Sequence, residues 1–288
     1  MKKIILAIAV LSLAAVAPLR ADDMASAKKI FADKQDSVIW ITGIAKISVT
    51  ASGATEGMPS IPDEEAKVMA LGTIVSPEGL IVTMLSQIDP ASMVKNKTVR
   101  TEKGMVKLDA TSVMKELKAV MPDGTEVPAE LVMKDATLDL AVIRIKTSSK
   151  EASGMTFHAV DLKDSAEPHI LDQVVTIQRM PEIFNRMSAV TPGYVGMITK
   201  KPRVFIRASG ATGGCPTYNM DGKLIGITAG RTKGGQVVEA ALLPASDVLD
   251  VVEQSKKQKA PAEEPAKTEE KSAKPASMEK SEKTDKTN

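Results

Sequence analysis

Short runs of β-branched and aliphatic residues recur through residues 37–243, and turn residues separate one run from the next. Two of the separators contain Asp-Gly, at Asp123–Gly124 and Asp221–Gly222. Asp-Gly between apolar runs is typical of a β-hairpin, because both residues accept the left-handed conformation that tight turns need. The strand runs do not alternate with long helical segments, which disfavours a β-α-β architecture. The pattern therefore predicts an all-β fold, either a sandwich or a barrel.

The apolar runs divide the chain into eleven predicted strands and two predicted short helices. Residues 89–115 are polar and rich in Lys without a clear period, so we expect a long loop there with a short strand near Val106. The predicted strands are 37–48, 68–75, 80–83, 117–121, 127–133, 138–145, 174–177, 193–198, 204–207, 224–228 and 237–243, and the predicted helices are 22–34 and 247–254.

Both ends of the chain have the composition of segments outside a folded domain. Residues 1–21 combine two Lys residues, an apolar run from Ile4 to Ala17 and small residues before Asp22, which is typical of a secretory signal peptide. The run is shorter than the roughly 20 residues of a membrane span, so we expect cleavage, export to the periplasm or beyond, and no stable membrane span afterwards. A retained anchor is the alternative. Residues 255–288 are mostly Lys, Glu, Pro, Ala and Ser, which predicts a disordered tail.

The overall composition excludes several classes of function. Aromatic residues make up 2% of the chain and the net charge is +2, so neither base stacking nor a basic surface favours a nucleic-acid partner. Two His and one Cys are too few for a zinc site of the usual type, and we expect no metal and no cofactor. With Cys215 alone, the chain has no internal disulfide and depends on its core for stability.

Three segments resemble trypsin-like serine proteases of the Deg/HtrA type, and they occur in that family's order. Residues 70–83 resemble the hairpin that precedes the family's catalytic histidine. Residues 121–145 resemble its Asp-Gly hairpin and Asp-Leu-Ala-Val strand, and residues 209–229 resemble its Gly-rich nucleophile loop followed by Asn-x-Asp-Gly and an Ile-Gly-Ile strand. The resemblance covers roughly residues 36–252. It implies a trypsin-like double β-barrel with an active-site cleft between the barrels.

The resemblance also shows where this chain departs from the catalytic pattern. Aligned on these motifs, the triad aspartate is Asp139, while Ser86 stands at the histidine position and Gly213 at the serine position. The loop that would stabilise an oxyanion corresponds to Ala211, Gly213 and Gly214. Acyl transfer by this mechanism needs a nucleophile, an imidazole base and an orienting carboxylate, and only the carboxylate is kept. With its histidine gone, we interpret Asp139 as a structural residue that binds backbone N–H groups.

Other residues of the chain are weak substitutes for the missing groups. The remaining nucleophile candidates are Thr212, if the loop held one extra residue, and Cys215, which we expect to be a semi-buried thiol. His158 and His169 both follow Asp139, whereas the family places its base before the aspartate, so we expect them to be exposed loop residues.

These observations predict an exported, catalytically inactive protease homologue that serves as a binding or scaffolding module. We expect a segment over 22–35, barrel one over about 36–147, barrel two over about 155–244, a closing helix over 247–254 and the tail over 255–288. A protein or peptide partner would bind the former cleft, and the oligomeric state stays open. The alternatives are an active serine endopeptidase with a shifted catalytic site and an envelope structural protein.

Overall fold

The computed structural model describes residues 18–52, 62–101, 104–233 and 236–257. Most of the predicted signal peptide and nearly all of the predicted tail lie outside these residues. Helix α1 spans Pro18–Lys34, so it begins before the predicted cleavage point at Ala21. Helix α2 spans Leu85–Ile88 and helix α3 spans Ala245–Lys257. The prediction that the tail starts at residue 255 is wrong, because Ser255 is a buried residue of α3 and its hydroxyl donates to the carbonyl of Val252.

Barrel one is a closed antiparallel sheet with the strand order β1-β2-β3-β7-β6-β5, in which β5 pairs back with β1. Its interior is filled by β-branched residues such as Ile39, Ile81 and Ile143, all fully buried. A seventh strand, β4, pairs with the start of β5. The strands are β1 Val38–Ser52, β2 Glu64–Ile74, β3 Leu80–Met84, β4 Thr98–Thr101, β5 Gly104–Val120, β6 Glu126–Asp135 and β7 Leu140–Ile145.

The long loop predicted over residues 89–115 is wrong over much of its length. Strand β5 runs unbroken for 17 residues, and β4 forms a hairpin with its first part. This part of β5 lacks the alternation of apolar and polar residues that indicates a strand. Its outward positions, such as Lys107 and Lys115, are charged, and an inward position, Ser112, is polar as well. The Ser112 hydroxyl donates to Asp89 at 2.6 Å, which provides a partner for a polar group on the inner side.

Barrel two is a second closed antiparallel barrel, with the order β10-β13-β12-β11-β8-β9. A smaller apolar cluster that includes Val174, Val195 and Leu242 fills it. The all-β prediction and the double β-barrel implied by the resemblance are therefore confirmed. The strands are β8 Gln173–Arg179, β9 Ser188–Thr199, β10 Phe205–Ala208, β11 Pro216–Asn219, β12 Leu224–Lys233 and β13 Gln236–Pro244.

The largest apolar cluster lies between the barrels and under α3 rather than inside either barrel. Leu140 and Val142 of barrel one meet Ile177 and Ile227 of barrel two in this cluster. Polar contacts cross the same interface: the indole N–H of Trp40 donates to the carbonyl of Met180 at 3.0 Å. This shared core fixes one barrel against the other. Within the described ranges, no helix is both long enough and apolar enough to cross a bilayer.

Candidate functional site

The structure brings Asp139 and Ser86 into direct contact at the interface of the barrels. Asp139 precedes β7, and Ser86 lies in α2, which directly follows β3. Because β3 and β7 are paired neighbours, their ends meet at one place. The backbone N–H of Ser86 donates to Oδ1 of Asp139 at 2.7 Å, and the Ser86 hydroxyl donates to Oδ2 at 2.8 Å.

Asp139 is held in a constrained and buried position. It is 3% exposed and its φ of 53° lies in the left-handed region. Its carbonyl oxygen accepts a hydrogen bond from Leu85 N–H at 2.9 Å. Burial raises the pKa of the carboxyl, while the hydrogen bonds from Ser86 and from the Gly230 N–H act in the opposite direction. The carboxylate is thus bound on several sides by donors rather than by an imidazole.

The Ser86–Asp139 pair has no group that accepts a proton near neutral pH from a nucleophile. An alcohol is a very weak base, and here its proton is already directed at the carboxylate. In the protease mechanism, the carboxylate orients an imidazole and stabilises its charged form, and the imidazole does the proton transfer. The described groups that bind the Asp139 carboxylate are therefore a hydroxyl and backbone N–H groups, and no imidazole is among them.

Gly213, which the motif alignment places at the nucleophile position, lies against α2. A Cβ added to Gly213 would come within 2.4 Å of Sδ of Met84 and 2.7 Å of Nε2 of Gln87. Met84 is buried, whereas Gln87 is exposed. The space where a serine side chain would begin is therefore occupied by two side chains from the segment that carries Ser86.

Gly214 joins the nucleophile loop to both barrels through its backbone. Its N–H donates to the carbonyl of Thr228 on β12 at 2.9 Å, and its carbonyl accepts from the Thr73 hydroxyl on β2 at 2.7 Å. Its φ is +75°, and an added Cβ would lie 2.0 Å from the carbonyl oxygen of Leu71. Only glycine satisfies both conditions without displacing the strand.

The other residues of the predicted oxyanion loop differ in what their N–H groups do. The Ala211 N–H makes a long 3.5 Å contact to the carbonyl of Ala208. In the described part of the chain, the Gly213 N–H has no hydrogen-bond acceptor. A single free backbone donor at this point resembles half of an anion-binding pair, but it has no nucleophile beside it.

Thr212 and Cys215 are both engaged in the structure of barrel two. The Thr212 hydroxyl donates to Oε1 of Gln178 on β8 at 2.6 Å, so it faces an amide rather than a base. Cys215 is fully buried in the core between the barrels, and burial raises the pKa of its thiol. A thiol without access to solvent and without a thiolate form is not a nucleophile.

The two histidines lie between β7 and β8. His158 is exposed in the connection between the barrels. His169 is also exposed, and its Nδ1 is 3.6 Å from Oδ2 of Asp172. Neither is among the described groups that bind the Asp139 carboxylate. Across the described ranges, no three His, Cys, Asp or Glu side chains are grouped so that they could hold a metal ion.

The sequence patterns did not identify three residues of the site, which are Met84, Gln87 and Gly230. A Cβ at Gly230 would lie 2.0 Å from Oδ2 of Asp139, so the backbone of β12 packs directly against the carboxylate. A glycine inside a strand often marks such a close approach, and this signal was available in the sequence. Met84 and Gln87 carried no comparable signal, because their role depends on a loop more than 120 residues away.

Comparisons with known proteins agree with the architecture. A family model described as a trypsin-like peptidase domain matches residues 70–227, which is more than half of the chain. A probable periplasmic serine endoprotease DegP-like protein of Rhizobium meliloti is 30% identical over 145 residues, which are 46% of this chain and 27% of that protein. A protein of the same description from Bartonella henselae is 29% identical over 146 residues, 47% of this chain and 27% of the relative. The matched region is thus about a quarter of the length of these relatives.

Proposed function

This chain belongs to the trypsin-like peptidase domain family, and we propose that it is an exported member that binds a protein or peptide without cleaving it. The contact between Ser86 and Asp139 carries the proposal. It supports a stable hydrogen-bonded pair at the place where the family's mechanism needs an imidazole. The second support is Gly213, which offers no side chain for attack on a carbonyl.

The size of the expected loss in catalytic rate separates a binding protein from a slow enzyme. Removing a member of a triad costs on the order of a millionfold in kcat, and the members act as a unit. The remaining backbone donors supply roughly a thousandfold over water. A rate enhancement of that size is too small for a working peptidase.

Two contacts weigh against a shifted catalytic site. Thr212 donates its proton to Gln178, and an amide oxygen does not take up a proton near neutral pH. Cys215 is enclosed by apolar residues and has no route to a substrate. We therefore prefer the inactive form to the alternative of an active endopeptidase. No described contact specifically favours an envelope structural role.

The edge of β12 beyond its pairing with β11 is covered by barrel one, because the N–H of Gly230 donates to Asp139 and the hydroxyl of Thr232 donates to the carbonyl of Thr137. The proposed binding role therefore depends on a peptidase-family fold that is kept without its chemistry. The predicted signal peptide and the periplasmic relatives support an exported location for this activity.

The test combines a reactivity probe with a binding measurement. We expect a fluorophosphonate probe to leave the full chain unlabelled under conditions that label an active DegP-like protease completely. We expect fluorescein-labelled unfolded casein to raise its anisotropy on mixing with the chain and to stay intact for hours. Labelling that disappears in a Thr212→Val variant would establish a shifted nucleophile and overturn the proposal. Absence of any casein binding would remove the binding role while leaving the inactive site in place.

A further inference from the structure

Strand β4 lies at the edge of the barrel-one sheet, and side chains on both of its faces are exposed. Among the described strands it pairs with β5 alone, residues 98–101 against residues 104–107. Neighbouring residues of a strand point to opposite faces, and Val99 and Arg100 are both exposed. The ladder with β5 is therefore the main contact that holds this strand.

The backbone bonds of β5 show which groups of β4 are used in that ladder. The N–H of Leu108 donates to the carbonyl of Lys97 at 2.7 Å, and the carbonyl of Leu108 accepts from the N–H of Asn96 at 2.9 Å. Bonds of an antiparallel ladder alternate along each strand, so the backbone groups of Val106 also point toward β4. Val106 lies opposite Val99, which therefore uses its own N–H and C=O for the ladder.

The backbone groups of Thr98 and Arg100, on either side of Val99, consequently point away from β5. None of the described strands lies on that side of β4. An unpaired edge of this kind is a template for a further strand, which gains main-chain hydrogen bonds when it pairs there. The fold of barrel one therefore offers a place for one additional extended segment.

Cations outnumber carboxylates along this edge. Between residues 94 and 110, the described positions carry four cations and one carboxylate, which are Lys95, Lys97, Arg100, Lys107 and Asp109. Neither Lys97 nor Arg100 has an ion-pair partner within the described ranges. The hairpin of β4 and the start of β5 thus has a net positive charge, and two of its cations are available to bind an anion.

The elements that pack beside this hairpin do not neutralise it. Residues 48–52 of β1 and residues 90–93 contain no charged side chain. The carboxylate of Asp89 accepts from the Ser112 hydroxyl at 2.6 Å and lies 3.4 Å from Nζ of Lys134. Asp89 is therefore already bound by groups of β5 and β6.

The free backbone edge and the charge together determine which partner fits. A second copy of this hairpin would bring its own cations against Lys97 and Arg100, which disfavours pairing between two copies. A strand with carboxylates on one face would place them beside Arg100, and apolar residues at the alternate positions would lie on the face of Val99. The edge therefore fits an extended segment in which acidic and apolar residues alternate.

We propose that β4 is a docking edge for an extended acidic segment of another protein, which adds to the seven-stranded sheet of barrel one as a further strand. The site is independent of the proposed function, because Ser86, Asp139 and Gly213 take no part in it. An anionic polymer without a peptide backbone would use the cations alone, so main-chain pairing distinguishes the two kinds of partner.

The test measures fluorescence anisotropy of a fluorescein-labelled peptide, Glu-Val-Glu-Thr-Glu-Val, mixed with the full chain. We expect saturable binding, and we expect the same peptide N-methylated at every residue to lose it, because its charges remain while its N–H groups are gone. We expect Lys97→Glu combined with Arg100→Glu to weaken binding at least severalfold. Hydrogen exchange should show that the bound peptide slows exchange in residues 97–101 and leaves residues 209–214 unchanged.

The matched control is Lys200→Glu combined with Lys201→Glu, which makes the same change in net charge at two exposed positions between β9 and β10 and should leave binding unchanged. A second variant, Thr98→Pro, removes an outward N–H without removing a bond of the ladder, and it should also weaken binding while circular dichroism stays unchanged.

Absence of saturable binding overturns the proposal. Equal binding of the N-methylated peptide also overturns it, because the cations alone would then account for the affinity. The same holds if the control variant weakens binding as much as the β4 variant, or if the protection from exchange appears in residues 209–214 instead.

Discussion

The hydroxyl of Ser86 lies 2.8 Å from Oδ2 of Asp139, in a contact that closes the end of β3 against the start of β7. Together with the backbone bond from Ser86 N–H, it gives both carboxylate oxygens a donor from one residue. A buried carboxylate is costly when it loses its donors. The pair therefore has a structural value of its own, although it has no catalytic base.

We expect Ser86→Ala to lower the free energy of unfolding by about 1–2 kcal/mol, because Oδ2 of Asp139 loses a hydrogen bond to a charged group while remaining buried. Urea unfolding followed by circular dichroism measures the change. Ser153→Ala, at an exposed loop position, is the matched control and should change stability by less than about 0.5 kcal/mol. Equal effects of the two substitutions would show that the Ser86 contact contributes nothing to stability.

The buried Asp139 carboxyl makes stability depend on pH. Burial raises its pKa above the ordinary 3.8, so between these values the folded state binds more protons than the unfolded state. Its contribution to stability is therefore present below pH 3.8 and is lost as the pH rises through the raised pKa. We expect the unfolding free energy of the natural chain, minus that of Asp139→Asn, to fall as the pH increases from about 3.8 upward and then to level off.

Urea unfolding of both proteins at several pH values measures this difference. Asp250→Asn, at an exposed position of α3, is the control, and its difference curve should be much flatter. A difference for Asp139→Asn that rises with pH would mean that the hydrogen bonds from Ser86 and Gly230 outweigh burial.

The sequence predicted best the strands that are continuous apolar runs. The hairpin of β2 and β3 and the strand β7 are aliphatic and fully buried over most of their length, so their identification needed no tertiary information. Strand β5 was missed because much of it forms an extension of the barrel with polar residues on both faces. Its pairing with β1 is set by long-range contacts, which local patterns do not report.

The residues of the site also differ in whether the local sequence identifies them. Motif spacing identified Asp139, Ser86 and Gly213 as the three positions to compare, and the structure adds what fills the space between them. No local pattern connects Met84 and Gln87 with Gly213, because the contact exists only after the two barrels dock. The close approach at Gly230 could have been predicted from the sequence, since a glycine within a strand often indicates that another group lies close to the backbone.

Gly214 is predicted to be essential for the inter-barrel contact. We expect Gly214→Ala to destabilise the protein by at least about 2 kcal/mol, because its left-handed φ and the overlap with the Leu71 carbonyl both penalise a Cβ. Gly196→Ala is the matched control, since its added Cβ would be 3.9 Å from the nearest atom, the carbonyl oxygen of Arg207. Thermal unfolding measures both, and a similar midpoint for the two variants would contradict the prediction.

Cys215 is predicted to be unreactive in the folded protein. The thiol is fully buried and burial raises its pKa, so both access and the thiolate form are lacking. We expect iodoacetamide to leave the native chain unmodified over a period in which it alkylates the urea-unfolded chain completely, as read by intact mass. Native alkylation at the rate of a free cysteine would show that the core between the barrels opens readily.

Placing a histidine at position 86 and a serine at position 213 should not by itself produce peptidase activity. The Cβ of a serine at position 213 would overlap Met84 and Gln87, so we expect Ser86→His with Gly213→Ser to remain unlabelled by a fluorophosphonate probe. Adding Met84→Ala and Gln87→Ala removes both obstacles and lets an imidazole at position 86 use Asp139 as its orienting carboxylate. We expect this quadruple variant to be labelled by the probe, since a positioned general base contributes about 10²–10⁴-fold to the rate. Its control is the same variant with Asp139→Asn, which should not be labelled.

Labelling of the double variant at the rate of the quadruple variant would show that Met84 and Gln87 move aside freely and do not block the site.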